Sequence, residues 1–233
     1  MGRLILVLCL SLVVVGFAQI DSLILEDIKD CILVANIPTS NYGAYADVYV
    51  GGGYLGVNKW SELIQFDLSS IPVGCTIDSA YISYAVWTAS GGNVCYTGAV
   101  LEAWNEGDKT GSLADSFEVN YNCYSYPDSI WSIAGCRDEG VDRTAALDSG
   151  VVGSLIDKVY VTNTVIYILA HTNNGMIHWT AVTGGYYVAY AKEHRVVAVR
   201  PKLSVYYTVA IPITDSEIRG AVINKVLQIW RAQ

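Results

Sequence analysis

Between Cys31 and Ile211 the chain repeats one motif: short runs of β-branched and aromatic residues separated by clusters of Gly, Asn, Ser and Asp. The runs read "CILVA", "ADVYVGG", "SELIQFDL", "DSAYISYAVWTA", "YTGAVLEAW", "NTVIYILAHT", "GMIHWTAV", "GYYVAYAKE" and "RPKLSVYYTVAI". Within "SELIQFDL", Ile64, Phe66 and Leu68 point to one face while Gln65 and Asp67 point to the other, the period-2 alternation of a half-buried strand. "DSAYISYAVW" is apolar in both phases, which predicts a central strand covered on both faces or meeting a partner surface. Many short strands at such spacing predict an all-β fold, a sandwich or barrel.

Three stretches depart from this pattern. Residues 105–140 have no clear period and predict a surface excursion. Residues 143–155, "RTAALDSGVVGSL", are read as a short helical turn beside the sheet. At the C-terminal end, Thr214-Asp215-Ser216-Glu217 is a capping box, and Ile218, Val222, Val226, Leu227 and Trp230 follow at helical spacing. A helix over about 215–231 is expected, its apolar stripe packed on its own sandwich or on another molecule. The division is thus one sandwich domain over residues 19–209 and a helical tail over residues 210–233.

The first residues have a different character. Arg3, an apolar run from Leu4 to Val15 and the small residues before Gln19 make a secretory signal peptide over residues 1–18. The run is shorter than the ~20 apolar residues of a spanning helix, so cleavage is expected rather than anchoring, and no membrane span is expected afterwards. The location implied is secreted, extracellular or at the cell surface. The formal net charge is −8, more negative still without Arg3, which excludes a basic groove for nucleic acid. With 52% hydrophobic and 15% charged residues, the chain can build a sizeable core.

Removal of Cys9 with the signal leaves Cys31, Cys75, Cys95, Cys123 and Cys136, an odd set for an oxidising compartment. Two disulfides and one spare thiol is the simplest arrangement. Cys123 and Cys136 flank a turn-rich segment and are the best single pairing. Neither a CxxC nor a Cys/His cluster points to zinc. His171, His178 and His194 stand without an HExxH, and neither a Gly-x-Ser-x-Gly elbow nor a P-loop occurs. An enzyme is not expected. Aromatic residues are the stronger signal, with 17 tyrosines and six tryptophans. A ring face can stack on the apolar face of a sugar, and Tyr42, Tyr45, Tyr54, Trp60, Trp131, Tyr186 and Tyr187 all fall near turns. The segment Ile37–Gly53 is first a corner of the fold, in which Pro38 starts a turn and Asn41 and Gly43 accept its backbone angles.

Five motifs in order, "KDCILVANIPTSNYG…VYVGGG", "LIQFDLSSIPVGCTIDSAYISY", "EAWNEGDKTG", "GVDRTAAL" and "YAKEH…RPKLSVYY", resemble the DNRLRE-type domain, also grouped as carbohydrate-binding module family 96. The resemblance spans residues 25–208. It implies a jelly-roll β-sandwich that is secreted and non-catalytic and binds polysaccharide or surface matrix. Where that family tends to carry Ser-Arg-Glu before the last strand, this chain has Ala191-Lys192-Glu193, so only Glu193 is carried over as a ligand-binding residue. Jelly-roll modules resembling this one often hold a structural calcium through oxygen ligands, and Glu26, Asp27 and Asp30 are the nearest cluster. The alternative function is a structural subunit of an extracellular or virion-like assembly, self-associating through the C-terminal helix.

Overall fold

The computed structural model describes residues 18–52, 59–90, 93–132, 134–136, 148–152, 158–180, 185–210 and 223–224. The strands are β1 (Ala18–Val34), β2 (Asp47–Gly51), β3 (Trp60–Phe66), β4 (Thr76–Ser83), β5 (Val86–Ser90), β6 (Asn93–Ala99), β7 (Cys123–Ser125), β8 (Ser129–Ile130), β9 (Asp148–Val152), β10 (Lys158–Tyr160), β11 (Met176–Thr180), β12 (Tyr186–Tyr190) and β13 (Lys202–Ala210). The helix α1 (Thr162–Ala170) interrupts them. The fold is all-β and sandwich-like, with every strand pairing among the described residues antiparallel. Residues 1–17 of the predicted signal peptide, Tyr54 and nearly all of the predicted tail helix lie outside the described residues, whereas Ala18, the last residue of that peptide, already pairs with Ala210. Ile223 and Asn224 alone represent that helix, and both are helical.

β1 ties the two parts of the sheet together. Its first half, Ala18–Glu26, pairs with β13, and its second half, Asp27–Val34, pairs with β3. A register shift between Asp27 and Lys29 separates the halves, and Ile28 at that point is exposed. A bulge of this kind bends the strand, so one continuous segment serves both. On one side the order runs β10-β4-β13-β1; on the other it continues β3-β11-β6-β9, with β2, β12 and β5 branching from β3.

Alternation along β3 and β11 then creates two cores. Ile64, Phe66, Met176, Ile82, Leu203 and Val205 face the main core. The opposite phase, Leu63 and Ile177, joins Cys31, Leu33 and Trp179 in a second one, which Trp104, Val119, Trp131 and Cys136 cover from outside. The 105–140 segment is therefore a packed cover over the β1–β3–β11 surface for its described part. It is held by burial and by local bonds: Trp104 Nε1 donates to Asn174 O (2.7 Å), Trp131 Nε1 to Asn120 O (3.0 Å), and the Cys123 amide to Asn120 Oδ1 (2.8 Å).

Several expectations are corrected here. No two cysteines among the described residues stand at disulfide distance, which removes the Cys123–Cys136 pairing. Cys136 is sunk in the second core, whereas Cys123 Sγ lies 3.7 Å from Pro127 O on the β7–β8 hairpin. β4 is not covered on both faces. Tyr81 lies on its outer side, with ring centroids 6.0 Å from Tyr160 and 6.1 Å from Tyr206.

The run "NTVIYILAHT", predicted as a strand, forms most of α1, while the segment read as a helical turn contains β9. Val165 and Ile168, with Thr164, form the buried face of the helix. Its first turn has no local cap; instead the Asp148 carboxylate, from β9, accepts the Thr164 amide (2.8 Å) and hydroxyl (2.9 Å) and the Asn163 amide (3.2 Å). Those bonds satisfy orphan donors of the first turn, and β-propensity yields to a contact formed only in the folded chain.

Candidate functional site

The site grows from the corner after β1. Asn41 is fully buried, and its side chain bonds in four directions. Nδ2 donates to Glu106 O (2.6 Å) and Val119 O (2.8 Å); Oδ1 accepts the Gly43 amide (3.1 Å) and the Lys109 amide (3.1 Å). The backbones are too close for side chains. A Cβ on Gly43 would stand 2.2 Å from Glu106 O, and one on Gly107, whose φ is +80°, would stand 2.6 Å from the Asn41 amide group. With the corner pinned to residues 106–119, the next residues project their rings together.

Tyr42, Tyr45, Tyr49 and Trp60 form a chain of ring contacts, with centroids 5.8, 6.1 and 4.8 Å apart in turn. The strand register completes the surface. Tyr49 of β2 lies opposite Val188 of β12, which lies opposite Thr88 of β5. These residues, with Ile32 and Val34 of β1, Asn36, Trp87 and Tyr186, line an open cleft of about 570 Å³. None of the described lining side chains carries a charge, although the chain has 36 charged residues. Trp87 is 51% exposed. Burial and the neighbouring Tyr45 hydroxyl hold the Tyr42 phenol above its usual range, which keeps it neutral and able to donate.

Of the residues predicted from sequence, Tyr42, Tyr45, Trp60 and Tyr186 meet in this cleft. Trp131 and Tyr187 do not. Trp131 is 3% exposed in the second core and Tyr187 is 1% exposed in the main core, because each lies on the inward phase of its segment. Trp87, Asn36 and Thr88 were missed. Trp87 falls on the phase opposite to Ala80, Ile82, Tyr84 and Val86, which turn to the main core on both sides of the break between β4 and β5.

Glu193 belongs to a second cluster. Its carboxylate and that of Glu106 hold the Lys192 ammonium, Glu106 Oε1 at 3.1 Å; Asp30 Oδ2 accepts the Lys192 amide (2.7 Å), and Glu106 Oε1 accepts the Asp30 amide (2.7 Å). Asp27, also buried, adjoins Asp30. Three motifs distant in sequence, around Asp30, Glu106 and Glu193, thus converge. Burial pushes the Asp27 carboxyl up to about 7 and raises that of Asp30 well above the carboxylate range. Glu26, by contrast, is exposed and pairs across the strands with Lys202. Asp30, Glu106 and Glu193 have the oxygen donors of a calcium site within 4.8 Å of one another, but Lys192 already brings a cation there. Lys192→Ala leaves the donors to a hard ion. That variant is expected to melt several degrees higher in millimolar calcium than in chelator, read by circular dichroism; equal midpoints would exclude the cluster as a calcium site.

The main core holds a further polar group closed to substrate. Glu62 and His178 are fully buried and sit opposite each other in β3 and β11. Tyr84 donates to Glu62 Oε2 (2.7 Å), and Thr97 Oγ1 meets His178 Nδ1 (2.8 Å). Burial pushes His178 down to about 3 and Glu62 up to about 8, so both side chains are uncharged at neutral pH. His171 and His194 stack on Tyr167 and Tyr190 at the surface.

No protein-family model matches this chain, and no curated protein matches it in sequence.

Proposed function

We propose that the protein is a secreted, non-catalytic module that binds a neutral polysaccharide in the aromatic cleft. The observation that carries this reading is the pairing of a continuous row of ring contacts with a lining free of charge, in a chain of net charge −8. Sugar C–H faces stack on aromatic rings, while phenol hydroxyls, Asn36 and Thr88 supply the few directional bonds such a site needs. A uronate or sulfated glycan would enter with no cation to receive it, against the field of an acidic protein. The cleft volume falls within the range of small-ligand sites, enough for a few sugar rings of a longer chain.

Affinity electrophoresis against neutral glucans, xylans and mannans beside alginate, pectate and sulfated galactan tests the reading. Retardation is expected in neutral gels. Trp87→Ala and Tyr45→Ala are each expected to weaken binding at least tenfold, about 1.4 kcal/mol, while Tyr45→Phe keeps the stacking face and loses less. Retardation in anionic gels alone, or wild-type retardation of Trp87→Ala, would sink the proposal.

A further inference from the structure

α1 contains no charged residue over Thr162–Ala170, and after the polar first turn of Thr162, Asn163 and Thr164 every residue from Val165 to Ala170 is aliphatic or aromatic, a surface that is ordinarily covered. Only one side is covered. Val165 and Ile168 face the main core, whereas Ile166 is 46% and Leu169 40% exposed. These two side chains, with Ile71, Pro72, Val73 and Cys75 from the turn between β3 and β4, line a groove of about 410 Å³, and Val73 at its rim is fully exposed. Among the described residues, none lining this groove is charged and none is shared with the aromatic cleft.

β13 passes this groove two residues before it ends. In its last pairings with β4, Tyr207 lies opposite Ile77 and Thr208 opposite Thr76, both of which line the groove, and Val209 and Ala210 then pair with β1 alone. Val209 and Cys75 both pack, partly buried, against the main core. Beyond Ala210 only Ile211-Pro212-Ile213 precede the capping box that opens at Thr214. Three residues reach at most about 10 Å, so a short tether from the end of β13 keeps the expected helix within reach of the groove. The stripe Ile218, Val222, Val226 and Trp230 matches the apolar character of the groove, which no described residue covers.

We propose that this groove seats the C-terminal segment of the same chain, docked through that stripe. The tether decides in favour of the same chain over a second copy. A short linker gives an attached segment an effective concentration in the millimolar range, which a neighbouring molecule does not match in dilute solution. Docking covers Ile166 and Leu169, completes the burial of α1, and removes the apolar contact on which assembly through the tail depends. It is independent of glycan binding in the cleft.

Cys75 provides the test. Cys31, Cys95, Cys123 and Cys136 are buried, and Cys75 is the half-buried thiol, at the wall of the groove. Native-state alkylation of the full chain with N-ethylmaleimide, quantified at Cys75 by peptide mass mapping, is expected to be slow. Val222→Asp on the tail is expected to speed it at least tenfold. Val73→Asp, at a site whose side chain touches no core, is expected to do the same without changing the melting midpoint, so the inference does not depend on one variant folding. Equal alkylation rates in wild type and both variants would overturn the proposal. So would protection that rises with protein concentration together with a dimer by light scattering, since the tail would then occupy a second copy.

Discussion

Asn41→Ala is expected to destabilise the fold by about 4 kcal/mol, measured as the urea unfolding free energy. The side chain is fully buried and its removal leaves two carbonyls, of Glu106 and Val119, and two amides, of Gly43 and Lys109, without that partner. Each buried polar group so orphaned costs about 1–3 kcal/mol, and partial relaxation keeps the total below their sum. Asn41→Asp separates the halves of the network. It keeps an acceptor for the two amides, but sets a carboxylate against the two carbonyls, and is expected to be at least as damaging at neutral pH. Because Tyr42 and Tyr45 follow this residue, Asn41→Ala is also expected to weaken glycan retardation. A loss below about 1 kcal/mol would mean that the corner is held by packing rather than by the amide.

Glu62→Gln is expected to stabilise the protein in alkaline solution and to do little in acid. Burial raises the native carboxyl to about 8, from an ordinary value of 4.5. The native state therefore holds a proton that the unfolded state releases between those values. The stabilisation due to that proton is complete below about pH 4.5 and is lost as pH rises toward 8. The substituted amide would be neutral throughout and could still accept from Tyr84, so the difference in unfolding free energy between variant and wild type is expected near zero at pH 4.5 and on the order of 4 kcal/mol at pH 8. In a domain of this length that is about 12 °C in melting midpoint. His178 acts in the opposite sense. Held neutral to about 3, it contributes stability above about 6.5 that is lost as pH falls, and comparing variant with wild type at each pH cancels its contribution. A constant offset between the two curves would show that Glu62 does not titrate in this range.

The alternation in "SELIQFDL" was enough to turn Ile64 and Phe66 to the main core, but β3 is not half-buried, since its other phase is covered through Leu63 in the second core; the recurrence of such runs was enough for an all-β sandwich-like fold, because strand phase is a local property of the chain. Tyr42, Tyr45, Trp60 and Tyr186 were legible as a group for a similar reason: each sits at a strand end or turn, where a ring has an outward direction open to it. Phase alone could not separate Tyr186 from Tyr187, adjacent in one strand, one lining the cleft and the other in the core. That required knowing which face of β12 the main core occupies.

What lay beyond the sequence was long-range. α1 forms from a β-branched run because Asp148 supplies the first-turn acceptors from another strand. Residues 105–136 read as a loop because their buried positions match no local period, only the surface of β1, β3 and β11. The convergence of Asp30, Glu106 and Glu193, like that of Tyr49 with Trp87, depends on register between strands far apart in the chain. Local periodicity thus determined which segments are extended and which side of several strands turns inward. Only the tertiary structure decided what each covered face meets, because hydrophobic burial is non-directional and register comes from the assembled sheet.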